Sequence, residues 1–170
     1  FHPVTTEINE MEQNTKNFVE SLENEHHNYI VVYPNNDMGS QLIINEYQKL
    51  KENPRFRVFP SLRFEYFLTL LKNAQFIIGN SSAGIREAPY YGIPVINIGT
   101  RQQNRAQNDT IINVDYSINQ ISDAIKNIEN YQKTPIINDF GNGNSDKMFL
   151  EALKNSDIWN INCQKQFKDL

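Results

Sequence analysis

Residues 79–87, Gly-Asn-Ser-Ser-Ala-Gly-Ile-Arg-Glu, collect two adjacent hydroxyls, a flexible glycine, a guanidinium and a carboxylate in one short stretch. An apolar strand precedes this stretch and a short helical segment follows it, so Ser81 and Ser82 stand where backbone amides are uncommitted. Such amides, together with the positive end of a helix, favour an anion. Gly84 would let the backbone approach a ligand closely. The loop is not a Walker A loop, because no Lys-Ser/Thr follows, and no Gly-x-Gly-x-x-Gly is present for a dinucleotide. The same residues also suit ordinary helix capping by Asn80, Ser81 or Ser82. Glu87 is open to two readings: a partner for the helix dipole, or a two-oxygen acceptor for neighbouring sugar hydroxyls. From Gly79 through Asn108 there are three arginines, Arg86, Arg101 and Arg105, and one carboxylate, Glu87. This stretch is locally positive in a chain of net charge −4, which favours the anion.

The elements that would position these residues alternate along the chain. Helical periodicity is expected over Thr5 to Glu25, Ser40 to Lys51, Phe64 to Asn73, Ser82 to Tyr91, Ile118 to Tyr131 and Asp146 to Asn155. Strand-forming runs are expected at Tyr29 to Tyr33, Phe56 to Phe59, Gln75 to Ile78, Val95 to Ile98 and Thr110 to Val114. Strands separated by helices imply right-handed crossovers and a doubly wound parallel α/β sheet covered on both faces. The 170 residues suffice for one domain, with no internal repeat or dividing linker. Only Phe1-His2-Pro3-Val4 precede the first helix, so the chain is expected to begin at the carboxyl end of a strand whose body lies upstream.

Composition excludes several classes. A hydrophobic share of 39% and no apolar run near ~20 residues argue against a membrane span. An acidic balance argues against an electrostatic grip on nucleic acid. The single cysteine, Cys163, suits a reducing cytoplasm and excludes an internal disulfide framework. No spacing of His, Cys or acidic residues suggests a metal site.

Open parallel sheets bind ligands at the carboxyl ends of their strands. That rule selects the loops His2 to Thr6, Pro34 to Gly39, Pro60 to Arg63, Gly79 to Gly84 and Gly99 to Arg105. Within them Asn35 or Asp37 falls beside the ligand, and so does His2; each also has an ordinary turn or structural reading. His26 and His27 close the first helix and are given no chemistry.

Together FHPVTTE, YPNNDMGS, IIGNSSAGIREAPYYGIPVINIGTRQ and FGNGN resemble the hydrolysing UDP-N-acetylglucosamine 2-epimerases, in the same order and over nearly the whole chain. His-Pro-Val-Thr-Thr distinguishes this branch from the non-hydrolysing enzymes, in which arginines follow the histidine. The resemblance implies the carboxyl-terminal Rossmann-like half of a GT-B-type enzyme, with UDP held in the cleft between two domains. It implies that Ser81 and Ser82 contact the phosphates, with Glu87 on the ribose and Arg101 near the nucleotide. It further implies that Asn35 and Leu62 line the nucleotide site, that Asp37 belongs to the motif, and that His2 is the active-site histidine. The family reaction eliminates UDP to a 2-acetamidoglucal and adds water, giving N-acetylmannosamine, and needs no cofactor. The acids that move the C2 proton belong to the amino-terminal domain, so this half alone is expected to bind UDP without turnover. The complete enzyme is expected to be a cytoplasmic homodimer or tetramer. Helix Gln41 to Leu50 carries only Lys49, so the animal enzyme's CMP-sialic acid control is not implied. Three alternatives stay open: a GT-B glycosyltransferase, a UDP-diacetylbacillosamine 2-epimerase, and a non-catalytic UDP-sugar-binding module.

Overall fold

Short apolar runs closed by turn residues become strands, and the amphipathic segments between them become helices. The computed structural model describes residues 1–105, 109–128, 130–131, 137, 139–160 and 164; Cys163 lies outside them, as does Asn108. In chain order the elements are α1 (Met11–Glu23), β1 (Tyr29–Val32), α2 (Ser40–Lys49), β2 (Phe56–Phe59), α3 (Phe64–Lys72), β3 (Ile77–Gly79) and α4 (Ser82–Arg86). β4 (Val95–Ile98), β5 (Ile111–Val114), α5 (Ile118–Ile128), α6 (Ser145–Lys154) and α7 (Ser156–Trp159) follow. The chain divides into two units, Phe1–Ile137 and Asn138–Leu170. In the second unit α6 and α7 bury no residue, and Trp159 Nε1 donates to the Leu153 carbonyl.

All strand pairs among the described residues are parallel, as expected of α/β crossovers. They form two ladders, β1 with β2 and β3-β4-β5. One core spans both ladders. It holds Phe18 and Leu22 of α1, Tyr29 and Val31 of β1, Tyr47 of α2, Ile96 and Ile98 of β4 and Ile121 and Ile125 of α5. Val95 turns to the opposite face, against Leu71, Ala88 and Ile93. Burial of every β4 residue on both faces is the signature of a doubly wound sheet.

Three helices depart from the sequence expectation. The helix read over Thr5 to Glu25 is a 3-10 turn at Thr5–Glu7 followed by α1. The reason is tertiary: Glu7 is engaged by the Tyr116 hydroxyl at 2.7 Å and by the Thr100 hydroxyl. The helix read over Ser82 to Tyr91 is α4 and a separate 3-10 turn at Pro89–Tyr91. Pro89 has no N–H to donate and its ring crowds the preceding turn, which ends α4 early. The helix read to Tyr131 ends, within the described residues, at Ile128.

Candidate functional site

Phe1 and His2 run between the carboxyl ends of β1 and β3, and the site is built around them. Asn80, the residue after β3, is fully buried. Its Oδ1 accepts from the His2 N–H at 2.6 Å and its Nδ2 donates to the His2 carbonyl at 2.8 Å. The Asn35 N–H, just past β1, donates to His2 Nδ1 at 3.2 Å. Nδ1 is thereby assigned as the unprotonated nitrogen, and Nε2 carries the ring proton of the neutral imidazole. Burial first, and the nearby Arg101 guanidinium, push the His2 pKa well below its ordinary value. At neutral pH His2 is therefore an uncharged donor through Nε2–H.

The loop after β4 reaches the same point. Arg101 Nη1 and Gln102 Nε2 both donate to the Asn80 carbonyl, each at 3.0 Å. Gly99 turns this loop with a φ of +69°, a conformation that suits glycine. The guanidinium of Arg101 is thus held beside Asn80, Ser81 and His2.

Ser81 is the N-cap of α4, its hydroxyl accepting from the Ala83 N–H at 3.3 Å. Capping therefore falls to Ser81, and Asn80 is spent on His2. Ser82 is half-buried and its hydroxyl bonds no other described residue. Only five residues long, α4 contributes a small dipole. An anion placed at this turn would be met by hydroxyls, end amides and Arg101 more than by the helix as a whole. Glu87 Oε2 is removed from water without a hydrogen-bond partner, an exceptional state for a carboxylate oxygen. A Cβ at Gly84 would stand 2.9 Å from Val95 Cγ1. Gly84 therefore lets α4 lie close on β4; its open side faces the sheet, which is a packing reason for the glycine.

His2 and Arg101 thus bond Asn80 directly, Asn35 joins through His2, and Ser81, Ser82, Gly84 and Glu87 lie on the turn that continues from Asn80. Leu62 is half-buried after β2 and lines a groove of about 400 Å³ between β1 and β3. Asp37 is exposed, with its carbonyl accepting from Ser40 N–H at 3.0 Å; no bond links its side chain to the other candidates. Sequence reasoning passed over Asn80 as a ligand-side residue and did not consider Gln102. The available signal was weak: an amide residue directly after an apolar strand, where a cap is the common explanation.

Comparison with known proteins identifies the family. The model of the UDP-N-acetylglucosamine 2-epimerase family matches residues 1–154. A UDP-N-acetylglucosamine 2-epimerase of Neisseria meningitidis is 46% identical over 173 residues, covering 100% of this chain and 46% of that protein. A UDP-N,N'-diacetylbacillosamine 2-epimerase (hydrolyzing) of Legionella pneumophila is 29% identical over 91% of the chain and 41% of its own length. The chain thus spans less than half the length of these relatives. Among solved structures, UDP-GlcNAc 2-epimerase of Methanocaldococcus jannaschii, crystallised with UDP-GlcNAc and UDP, has a TM-score of 0.72. That likeness covers 90% of this chain and 43% of that one at 22% identity, and it establishes the shared Rossmann-like fold. No helix among the described residues is long and apolar enough to cross a membrane. On the family match and the Neisseria relative, the chain belongs to the UDP-N-acetylglucosamine 2-epimerase family.

Proposed function

We propose that this chain is the nucleotide-holding half of a hydrolysing UDP-N-acetylglucosamine 2-epimerase, which converts UDP-N-acetylglucosamine to N-acetylmannosamine and UDP. The observation that carries the reading is the bonding of His2 to Asn80, which sets the histidine of the His-Pro-Val-Thr-Thr motif beside the serine turn. As the bond from the anomeric carbon to the diphosphate breaks, negative charge grows on the leaving oxygen. Ser82, the free amides of the turn and Arg101 stabilise that charge with groups already in place. His2 donates a hydrogen bond from Nε2–H to the same oxygens, and Glu87 accepts from the ribose hydroxyls. The acids that take the C2 proton come from outside this chain, so the chain alone binds UDP without turnover. Under this reading the complete enzyme works in the cytoplasm, without a cofactor, as a homodimer or tetramer; light scattering on the complete protein reads the assembly.

Calorimetric titration with UDP tests the site. Binding is expected, with Ser82→Ala weakening it about fivefold, in keeping with loss of one hydroxyl contact. Binding indifferent to this change would remove the phosphates from the turn. The sugar is tested separately on the complete protein: release of N-acetylmannosamine without an acceptor excludes a glycosyltransferase. Preference for the diacetylbacillosamine sugar would move the enzyme to the Legionella type.

The same reading gives the groove between β1 and β3 an occupant, a further strand parallel to both. Tyr29 and Tyr33 donate their N–H groups to β2 and its end, at Arg55 and Phe59, at 2.8 and 3.0 Å. By the alternation of a strand, Ile30 and Val32 turn their main-chain groups the other way. Ile77 donates to the Pro94 carbonyl at 3.1 Å, so Ile78 turns toward the groove from the opposite side. Ile30, Val32 and Ile78 all line it, together with Phe67, Leu70 and Leu71 of α3. A strand there joins the two ladders into one sheet, with Phe1 and His2 as its carboxyl end. Amide hydrogen exchange checks this: Ile30, Val32 and Ile78 should be protected in the complete protein and open in the 170-residue chain. Equal exchange in both would leave the groove without that strand.

A further inference from the structure

We propose that Asn80 is a positioning residue for His2: its side-chain amide holds the His2 main chain at both polar groups, and Arg101 and Gln102 hold Asn80 in turn. The inference rests on the reading above, in which His2 meets the leaving diphosphate. An asparagine after a strand and before a helix would ordinarily be a cap, but here Ser81 performs that role. Instead the Asn80 side chain supplies one acceptor and one donor to the N–H and carbonyl of His2, at 2.6 and 2.8 Å. That is the pairing a neighbouring strand would make, provided by a side chain. Few residues can substitute. Aspartate lacks the donor, serine is too short, and glutamine carries the amide a methylene too far.

With the main chain held by Asn80 and Nδ1 held by the Asn35 N–H, the imidazole has little rotational freedom left. Its Nε2–H is aimed in one direction, and pre-aimed donors are worth more at developing charge than mobile ones. Asn80 is itself fixed, because its carbonyl takes two donors, from Arg101 and Gln102. Arg101 therefore has a second task beside supplying charge. Asn80 is also continuous with Ser81 and Ser82, so the histidine and the hydroxyls of the turn move as one body. The charged side chain that bears on the ring is Arg101.

The test uses Asn80→Ala and the isosteric Asn80→Asp, the second because a truncated buried amide can cost the fold. Nitrogen-15 NMR of the His2 ring reads its tautomer, the His26 and His27 rings serve as internal references, and UDP affinity is measured alongside. In a folded variant, His2 is expected to lose its single Nε2–H tautomer and to exchange between forms. UDP affinity should fall about tenfold, the cost of roughly one well-placed hydrogen bond. A folded variant that keeps the parent tautomer and affinity overturns the proposal. Loss of the fold in both variants overturns it too, since Asn80 would then be serving the core and not His2. The underlying nucleotide reading fails separately: the parent chain would ignore UDP while Asn80→Asp still released the His2 tautomer.

Discussion

Glu87→Gln is expected to weaken UDP binding by roughly 10- to 100-fold, which is the effect of losing hydrogen bonds to a charged acceptor worth about 1.5–3 kcal/mol. Without ligand, Glu87 Oε2 is buried and unpartnered. A carboxylate oxygen in that state is destabilising until something donates to it. Two adjacent ribose hydroxyls match both oxygens of one carboxylate, whereas an amide offers one acceptor and presents a donor to the other hydroxyl. The substitution also removes the charge that is costly in the free protein, so thermal stability should rise slightly while affinity falls. That opposite movement separates a ligand role from a purely structural one. Glu87 is the C-cap of α4, where a carboxylate opposes the helix dipole, so the structure removes the dipole-partner reading. If Glu87 served only the fold, Glu87→Gln would change stability and leave UDP binding as it was. Calorimetry and thermal melting on the same two proteins decide between them.

Gly99→Ala is expected to destabilise the chain by about 3 kcal/mol. Backbone strain in the left-handed region contributes about 1 kcal/mol and steric overlap another 1–3. Gly99 has a φ of +69°, and a Cβ there would stand 2.2 Å from the Tyr116 hydroxyl oxygen. Tyr116 has little room to withdraw. Its hydroxyl donates to Glu7 at 2.7 Å, and its ring packs edge-on to Phe1 with centroids 6.0 Å apart. Denaturant unfolding measures the loss, and Gly143→Ala supplies the control. Gly143 also has a positive φ, +83°, but has nothing within 4 Å of the added carbon, so it should cost only the backbone strain, about 1 kcal/mol. Equal losses at both positions would mean that Tyr116 yields freely. Because Gly99 stands two residues before Arg101 in the same loop, the variant should also loosen the hold of Arg101 on Asn80 and weaken UDP binding with it.

The parallel α/β order, the strand positions to within a residue or two and a hydroxyl cap at the start of α4 were all legible in the amino-acid order. These features depend on local chemistry: apolar runs of strand length, helical spacing, and Pro or Asn where a run must stop. Tyr29 to Tyr33 is the example, since its β-branched and aromatic residues and the following Pro34 define β1 without help from elsewhere. Residue types alone left the turn open between a capped helix start and an anion site, and only the family resemblance narrowed the expected ligand to UDP. Long-range partners decided the rest. No local rule tells that Glu7 will be engaged by Tyr116 and Thr100 and so part the first turn from α1. Nor does one tell that Gly84 is required by Val95 across the helix–sheet contact. Asn80 and His2 are 78 residues apart, and only when the ends of β1 and β3 lie side by side does a cap-like asparagine become the clamp on a histidine. Sequence order carries the identity of each group, but hydrogen bonds and burial act at a few ångströms, and that distance exists only after folding.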